Sequence, residues 1–307
     1  MSARRRRRGP LRRLRRATRG PRNALLAAGI RAAKRVLGLL PLRLALATGR
    51  SWGWLYYVLV RVPRRLADRH LAMAFPDWTP ARRRDVVRRM FLHTGASVAE
   101  LAQWPRLRGT GYVTVEGRAV MDAALAEGRG VIAITGHVGN WELLAAEIAR
   151  LGYPVTAVAR RVKDERFQAL VGELRREVGL VVLDRDSPTF AHDIRAELDR
   201  NRIVALLIDQ DTRGAGVWVP FFGRPARTPP GAAVLALRKR ASVVAIFIER
   251  RAEGGHRITI RPLALGEGRS QDRIQALTAR MTEAIEAQIR HNPVEWVWWH
   301  ERWRHQV

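Results

Sequence analysis

The segment Val131–Glu142 reads VIAITGHVGNWE and is the part of the chain that decides the fold. Its first five residues are typical of a buried strand, and Gly136 and Gly139 permit a tight turn after it. Asn140 can cap the helix that follows. The segment therefore predicts a strand, a turn and a helix, with His137 at the carboxyl end of the strand. Open α/β sheets place their functional sites at that end.

The same alternation of short apolar runs and helical patterns continues from Gly109 to the end of the chain. Strands alternating with helices indicate an α/β domain with a mostly parallel sheet. Gly254–Gly255 separates the last two strands as a hairpin turn would, so we expect a mixed sheet. The predicted strands are Val113–Glu116, Gly130–Thr135, Pro154–Ala159, Leu180–Leu183, Ile203–Ile208, Ser242–Ile248 and Arg257–Arg261. The predicted helices are Arg118–Glu127, Trp141–Leu151, Glu165–Glu177, Thr189–Asn201, Gly231–Arg240 and Gln271–Asn292.

The N-terminal third has a different composition from the rest. Residues 1–22 hold 11 Arg and no acid, which predicts a polybasic, disordered tail. Residues 23–105 read as helical, and the last helix would begin at Pro80 with Thr79 as its cap. We expect one or two interfacial helices before it, because charges interrupt the apolar run and Trp and Tyr follow. An ordinary buried helix pair is the alternative. The α/β domain then occupies residues 106–307.

The charge of this 307-residue chain is +28, from 56 Lys and Arg against 28 Asp and Glu. Residues 1–100 hold 25 basic and 4 acidic side chains, a balance of +21, and the remaining 207 residues have a balance of +7. Such a lobe predicts an anionic partner. Aromatic residues are not interleaved with the basic run, and no nucleic-acid-binding motif is present. We therefore expect an anionic membrane surface and no nucleic acid, although an Arg-rich nucleic-acid-binding protein remains the non-enzymatic alternative.

Several kinds of catalytic and metal site are excluded by composition and motif. The chain has no Cys, so it has no disulfide, thiolate zinc site or Cys nucleophile. The His-Glu-x-x-His zinc motif and the Gly-x-Ser-x-Gly elbow are both absent. No 18-residue run is free enough of charge to span a membrane. We expect no metal and no cofactor.

His137 and Glu142 are the candidate catalytic pair. With His137 on the turn and Glu142 on the first helical turn, the carboxylate could fold back to one imidazole nitrogen. That bond would fix the tautomer and raise the basicity of the other nitrogen. The pair would then suit general base catalysis. A different hydrolase or lyase built on this pair is also open.

Four segments carry a resemblance to a known family. They are Gly136–Glu142 (GHVGNWE), His70–Asp77 (HLAMAFPD), Asp209–Asp211 with the following VPFFG and Thr228-Pro229, and Pro293–Trp303 (PVEWVWWHERW). In this order they resemble the lipid A late acyltransferases, the lauroyl and myristoyl transferases, within the glycerolipid acyltransferase-like group. The first segment is similar to the family's His-x4-Asp/Glu block. The resemblance covers roughly residues 50–303.

The resemblance implies acyl transfer at the cytoplasmic face of the bacterial inner membrane by a peripheral or monotopic protein. The donor would be an acyl carrier protein thioester, or acyl-CoA, and the acceptor a hydroxyl of a lipid A precursor. The related phosphatidylinositol mannoside acyltransferases share the core motif, so that glycolipid, or a lysophospholipid, is the alternative acceptor.

The resemblance also implies roles for residues outside the pair. Arg160 matches a family arginine and would contact the oxyanion or a phosphate, with Arg161 as its substitute. Further candidates for substrate or oxyanion contact are Gly139, Asn140, Asp209, Asp211, Phe221 and Phe222. For Asp209 and Asp211 the favoured role is structural, tying loops and basic residues around the site, and a catalytic role is the alternative. Phe221 and Phe222 would line an acyl slot, or lie in the core.

Overall fold

The computed structural model describes residues 19–162, 164–212, 214–266 and 270–306. Residues 1–18 of the predicted polybasic tail lie outside the described residues, and the first helix begins at Arg19. Within the described residues, three helices precede residue 80 rather than one or two, because Pro41 and the extended Val60 interrupt the helical run. Thr79 caps the fourth helix as predicted, accepting a bond from the Arg82 N–H. The four helices are α1 (Arg19–Leu39), α2 (Leu42–Leu59), α3 (Arg61–Ala74) and α4 (Pro80–Leu107).

A seven-stranded mixed sheet forms the centre of the body, in the order β1-β9-β8-β2-β5-β3-β4. Five strands run in one direction. β9 is antiparallel to β8, and β1 is parallel to β9 and so also runs in the opposite direction. Both the mostly parallel sheet and the hairpin turn at Gly254–Gly255 are confirmed. The strands are β1 (Val113–Glu116), β2 (Val131–Thr135), β3 (Val155–Ala159), β4 (Val181–Asp184), β5 (Ile203–Leu207), β8 (Ser242–Arg250) and β9 (His256–Leu263).

Helices flank the sheet. A separate two-stranded hairpin was not predicted from the sequence. This hairpin pairs β6 (Val217–Phe221) with β7 (Arg224–Thr228), with Pro220 opposite Pro225. Proline is rare inside strands, so its sequence does not read as one. The flanking helices are α5 (Arg118–Ala126), α6 (Trp141–Arg150), α7 (Glu165–Glu177), α8 (Phe190–Asp199), α9 (Gly231–Lys239) and α10 (Ser270–His291), followed by short 3₁₀ turns at Pro293–Glu295 and Arg304–Gln306.

The core of the sheet extends into the N-terminal helices. Leu71 of α3 and Phe91 of α4 belong to the same buried cluster as Ile132 of β2. Trp296 and Trp298 of the C-terminal segment are fully buried in that cluster. The C-terminal tryptophans therefore close the core, and they bring the chain end to the edge of the sheet where β2 ends.

Helices α2 and α4 cross at close range. A Cβ atom on Gly49 or Gly53 of α2 would collide with the backbone of α4, and a Cβ on Gly95 of α4 would collide with that of α2. Small residues at such a crossing let two helix backbones approach. This contact fixes α2 against α4 as a rigid pair.

The outer surface of the first helices is apolar. Among the described residues, thirteen of the sixteen exposed large hydrophobic side chains lie between Leu25 and Val62, including Trp52 and Trp54. No helix in the described ranges is both long and apolar enough to cross a membrane. The aromatic residues of α2 are therefore partly left outside the core, in contrast to a fully buried helix pair.

Candidate active site

Parallel pairing of β2 with β5 brings His137 and Asp209 together. Thr135 is in register with Leu207, and His137 and Asp209 each lie two residues beyond this pair. Carboxyl ends of neighbouring parallel strands share one edge of the sheet. The two side chains therefore meet, although 72 residues separate them in sequence.

Asp209 holds His137 by two contacts. Its Oδ1 lies 2.9 Å from Nδ1 of the imidazole, and its Oδ2 accepts from the His137 backbone N–H at 2.8 Å. The Trp296 indole N–H donates to the same Oδ2 at 2.8 Å. Burial alone would raise the pKa of Asp209, but His137 and these donors hold it well below its ordinary range. An ionised Asp209 at Nδ1 leaves Nε2 of His137 as the basic nitrogen.

The turn around His137 is fixed by the C-terminal segment. The Gly139 N–H donates to the carbonyl of Glu295 at 2.9 Å, and the Val297 N–H donates to the carbonyl of His137 at 3.3 Å. Gly139 has φ +62°, and a Cβ there would collide with the carbonyl oxygen of Ile248. Because its N–H is already paired, Gly139 is not free to donate to an oxyanion, which corrects that prediction.

The predicted bond between Glu142 and His137 is not formed. Glu142 lies on the first turn of α6 and accepts from Arg175 of α7 at 2.8 Å. Nδ1 of His137 bonds Asp209 instead. Sequence proximity suggested Glu142 as the partner, whereas the pairing of strands supplies Asp209.

Asn140 caps α6 as predicted, and its side chain is hydrogen-bonded inside the protein. Its carbonyl oxygen accepts from the Leu143 N–H, and its amide donates to Glu100 at 3.0 Å and to the carbonyl of Ser97. The residue is buried. Both amide N–H groups of Asn140 are therefore occupied inside the protein, and its contact with substrate stays a prediction.

Arg160 and Arg161 follow β3 at the same edge of the sheet but pair with acids of their own. Arg160 lies 3.1 Å from Asp186, and Arg161 lies 2.9 Å from Glu165. Both guanidinium groups are more than half exposed. Neither is hydrogen-bonded to His137, so their predicted contact with an oxyanion or phosphate stays a prediction.

Two further side chains stand beside the imidazole: Gln210, which was not predicted as a site residue, and His300. The Gln210 amide nitrogen lies 3.2 Å from Nε2 of His137 and 2.8 Å from Nδ1 of His300. The rings of His137 and His300 meet edge to face, with centroids 4.7 Å apart. Burial, and next the neighbouring His137, lowers the pKa of His300 to about 4, so His300 is neutral at pH 7. Gln210 follows Asp209 directly, which is the signal that could have identified it.

His137, Asp209 and His300 form one group whose ligand atoms lie within 4.8 Å of one another, close enough to surround a metal ion. Both oxygens of Asp209 already accept N–H donors, however. This donor set fits a hydrogen-bonded histidine better than a metal ligand, because a bound ion would have to displace those donors.

The remaining predicted residues support the site from outside it. Asp211 bonds His305 at 2.9 Å and so ties the chain end to the β5 edge, as favoured for it. Asp209 contacts His137 directly and also holds Trp296 of the C-terminal segment. Phe221 and Phe222 are buried against Trp296, Trp298 and Trp303, and therefore belong to the core rather than to an open slot.

Comparison with known proteins places the chain among bacterial acyltransferases. Residues 14–305 match the model of the bacterial lipid A biosynthesis acyltransferase family. A lipid A biosynthesis palmitoleoyltransferase of Escherichia coli (strain K12) is 25% identical over 78% of this chain and 78% of its own. A lipid A biosynthesis acyltransferase of Haemophilus influenzae is 26% identical over 86% of this chain and 82% of its own.

Mycobacterial relatives match a shorter part. A phosphatidylinositol mannoside acyltransferase of Mycobacterium tuberculosis (strain H37Rv) is 28% identical over 60% of this chain. The chain spans 57% of that relative's length. The family model, by contrast, covers nearly all of the chain and includes both His137 and the C-terminal tryptophans. The chain belongs to the bacterial lipid A biosynthesis acyltransferase family.

Proposed function

We propose that this protein transfers a fatty acyl chain from a thioester to a hydroxyl group of a glycolipid, with His137 as the general base. The observation that carries the proposal is the bond from Nδ1 of His137 to buried Asp209. It presents Nε2, on a side chain that is 21% exposed, as the one basic nitrogen of the ring. A thioester and an alcohol need such a base, because a neutral hydroxyl is a weak nucleophile.

The reaction runs in two steps. Nε2 of His137 takes the hydroxyl proton while the oxygen attacks the thioester carbonyl, and Asp209 stabilises the imidazolium that forms. The tetrahedral intermediate then collapses, its carbon–sulfur bond breaks, and the leaving sulfur takes the proton from Nε2. The chain has no Cys on which an acyl thioester could form, so the acyl group passes directly to the acceptor.

The oxyanion of the intermediate needs a donor, and His300 is the better placed candidate. Its ring is neutral and lies edge to face with His137. With Nδ1 accepting from Gln210, the Nε2–H of His300 is available to donate. Arg160 is the second candidate, and it would have to leave Asp186 to take this part. Glu142 has a different part: paired with Arg175, it anchors the first turn of α6.

A lipid A precursor is the first candidate for the acceptor and an acyl carrier protein the first candidate for the donor. The relatives named for lipid A biosynthesis align with 78–86% of this chain. A phosphatidylinositol mannoside is the second acceptor, and the mycobacterial relatives favour it. Acyl-CoA is the second donor.

The protein acts at the cytoplasmic face of the inner membrane, resting on it through the apolar outer surface of α1 and α2. Trp52 and Trp54 stand exposed on α2, and exposed, basic Arg61 begins α3 shortly after them. Aromatic and basic side chains together suit the depth of lipid headgroups. This supports a peripheral or monotopic attachment to an anionic membrane.

A substrate panel tests the proposal. Purified protein receives acyl carrier protein thioester or acyl-CoA, with a lipid A precursor, a phosphatidylinositol mannoside or a lysophospholipid in mixed micelles. Acylated lipid is measured by mass spectrometry. We expect one glycolipid to be acylated and the thiol to be released in equal amount. Thiol release without acylated lipid would instead indicate a hydrolase.

A further inference from the structure

A cavity lies near the end of β8, the strand next to β2 and His137. It has a volume of about 730 Å³ and lies between α2, α4, the β8–β9 turn and the segment before Trp296. Five arginines line it: Arg43 and Arg50 from α2, Arg89 from α4, and Arg250 and Arg251 from the end of β8. The active site described above uses none of these residues.

Two of the five arginines of this cavity have no acidic partner among the described residues. Arg250 forms a bidentate salt bridge with buried Glu100, which neutralises its charge. Arg251 and Arg89 have looser acidic neighbours, at 3.6 Å and 3.8 Å. For Arg43 and Arg50, no ion pair or hydrogen bond is formed with any residue in the described ranges. Two guanidinium groups seven residues apart on one helix face therefore reach the cavity with their donors free.

The two acidic groups of the lining do little to offset this charge. Glu253 is paired with Arg251. Burial raises the pKa of Glu295 to about 7, so its carboxyl is neutral in part at physiological pH. The cavity remains net positive, and repulsion among its arginines would be relieved by a bound anion.

Part of the lining is apolar. Leu42 and Leu46 of α2 and Leu92 and Ala96 of α4 contribute to it. The glycine crossing of α2 and α4 fixes the distance between these walls. A ligand that fits both features has a compact anionic group attached to a less polar body.

The cavity is connected to the catalytic turn through backbone. Glu295 lines it, and the carbonyl of Glu295 accepts from the Gly139 N–H. His137 and Gly139 are two residues apart, which is at most about 7 Å of chain. Arg250 ends β8, the parallel neighbour of β2. A group bound in this cavity is thus close enough to belong to a molecule that also reaches His137.

We propose that this cavity binds a phosphate group carried by one of the two substrates, an inference that rests on the proposed acyl transfer. Arginine is the preferred partner of phosphate, because its planar fork offers two parallel N–H donors. Two sources have this chemistry: the phosphopantetheine arm of the acyl donor and a phosphorylated sugar of the glycolipid acceptor. In either case the phosphate anchors the substrate while its reacting group lies at His137.

Binding of small soluble probes tests the inference without requiring turnover. The probes are 4′-phosphopantetheine and a hexosamine phosphate, with pantetheine and the free hexosamine as phosphate-free controls, titrated by calorimetry. We expect at least one phosphorylated probe to bind, and Arg43→Gln/Arg50→Gln to weaken its Kd at least tenfold. The matched control is Arg65→Gln/Arg84→Gln, which removes the same charge from exposed residues outside the cavity and should leave Kd unchanged. The probe that binds identifies the source of the phosphate.

Kinetics separate this inference from the proposed function. Arg43→Gln/Arg50→Gln should raise KM at least tenfold for the substrate whose phosphate is bound and leave kcat within about twofold. Removing the phosphate from that substrate should abolish the difference between variant and wild type. If neither phosphorylated probe binds, or if a probe binds wild type and the cavity variant equally well, the inference is overturned even if acyl transfer is active. If Arg43→Gln/Arg50→Gln loses probe binding but the wild-type protein shows no acyl transfer, the phosphate site is supported and the proposed function is refuted.

Discussion

Oδ1 of Asp209 lies 2.9 Å from Nδ1 of His137, and this bond links the ends of two neighbouring parallel strands. Asp209 is fully buried, and its other oxygen is held by the Trp296 indole and the His137 backbone N–H. The imidazole is therefore oriented from the core of the sheet. The catalytic behaviour of the protein should depend on this carboxylate more than on the one nearest in sequence.

Asp209→Asn should lower kcat at least ~10²-fold with little change in folding. The Asn oxygen would accept from Trp296 and the His137 backbone, which turns its NH₂ group toward Nδ1. His137 would then carry its proton on Nε2, the wrong nitrogen for a base. Steady-state rates and a melting curve of the same preparation check this. A variant that keeps more than a third of the wild-type rate would contradict it.

Glu142→Gln should lower kcat less than about tenfold, because Glu142 pairs with Arg175 and not with His137. Arg175→Gln is the matched control and should show a similar, small effect. Rates of both variants are measured beside Asp209→Asn. If Glu142→Gln loses as much activity as Asp209→Asn while Arg175→Gln does not, the assignment of the orienting carboxylate is wrong.

Gly139→Ala should destabilise the fold by at least about 3 kcal/mol, since the residue has positive φ and no room for a Cβ. Gly128→Ala is the control: its φ is +69°, but a Cβ there meets open space. The control should cost only the backbone strain, about 1 kcal/mol. Urea unfolding of both variants measures the difference. Equal losses would show that the contact with Ile248 is unimportant.

Glu295→Gln should stabilise the protein more at pH 8 than at pH 5. Burial raises the pKa of Glu295 from 4.5 to about 7, so the folded state holds a proton that the unfolded state has released between these values. This group's contribution therefore falls as pH rises from about 4.5 to 7, by up to about 3 kcal/mol. Gln cannot ionise and keeps an oxygen for the Arg250 N–H. Unfolding free energies at both pH values are compared, and a variant whose advantage does not grow with pH would refute the shift.

Trp52→Ser/Trp54→Ser should weaken binding to anionic lipid vesicles at least about tenfold, because two exposed indoles leave the apolar surface. Trp218→Ser is the control, since Trp218 is similarly exposed but lies on the β6–β7 hairpin. Vesicle sedimentation at low and high salt measures the binding. Unchanged binding of the double variant, or an equal loss with Trp218→Ser, would place the membrane contact elsewhere.

Local patterns predicted the strand and turn around His137, the cap at Asn140 and the mixed α/β sheet, because each depends on neighbours in sequence. The partnership of His137 with Asp209 depends on which strand lies next to β2, and strand order is a long-range property. Proximity in sequence favours Glu142 as the partner of His137, because it is the nearest acid. The β6–β7 hairpin was not predicted because it contains Pro220 and Pro225, which lie opposite each other and are poor strand residues. Gln210 and His300 became site residues only when the chain end was packed against the edge of the sheet.

Transfer of a labelled acyl chain by wild type and His137→Ala tests the central claim most directly. Both proteins receive acyl carrier protein thioester and a lipid A precursor, and acylated lipid is counted over time. We expect wild type to acylate the lipid and His137→Ala to be at least ~10²-fold slower, with an unchanged melting temperature. A variant with the full wild-type rate would contradict the account, as would a wild-type protein that transfers no acyl chain to the lipid.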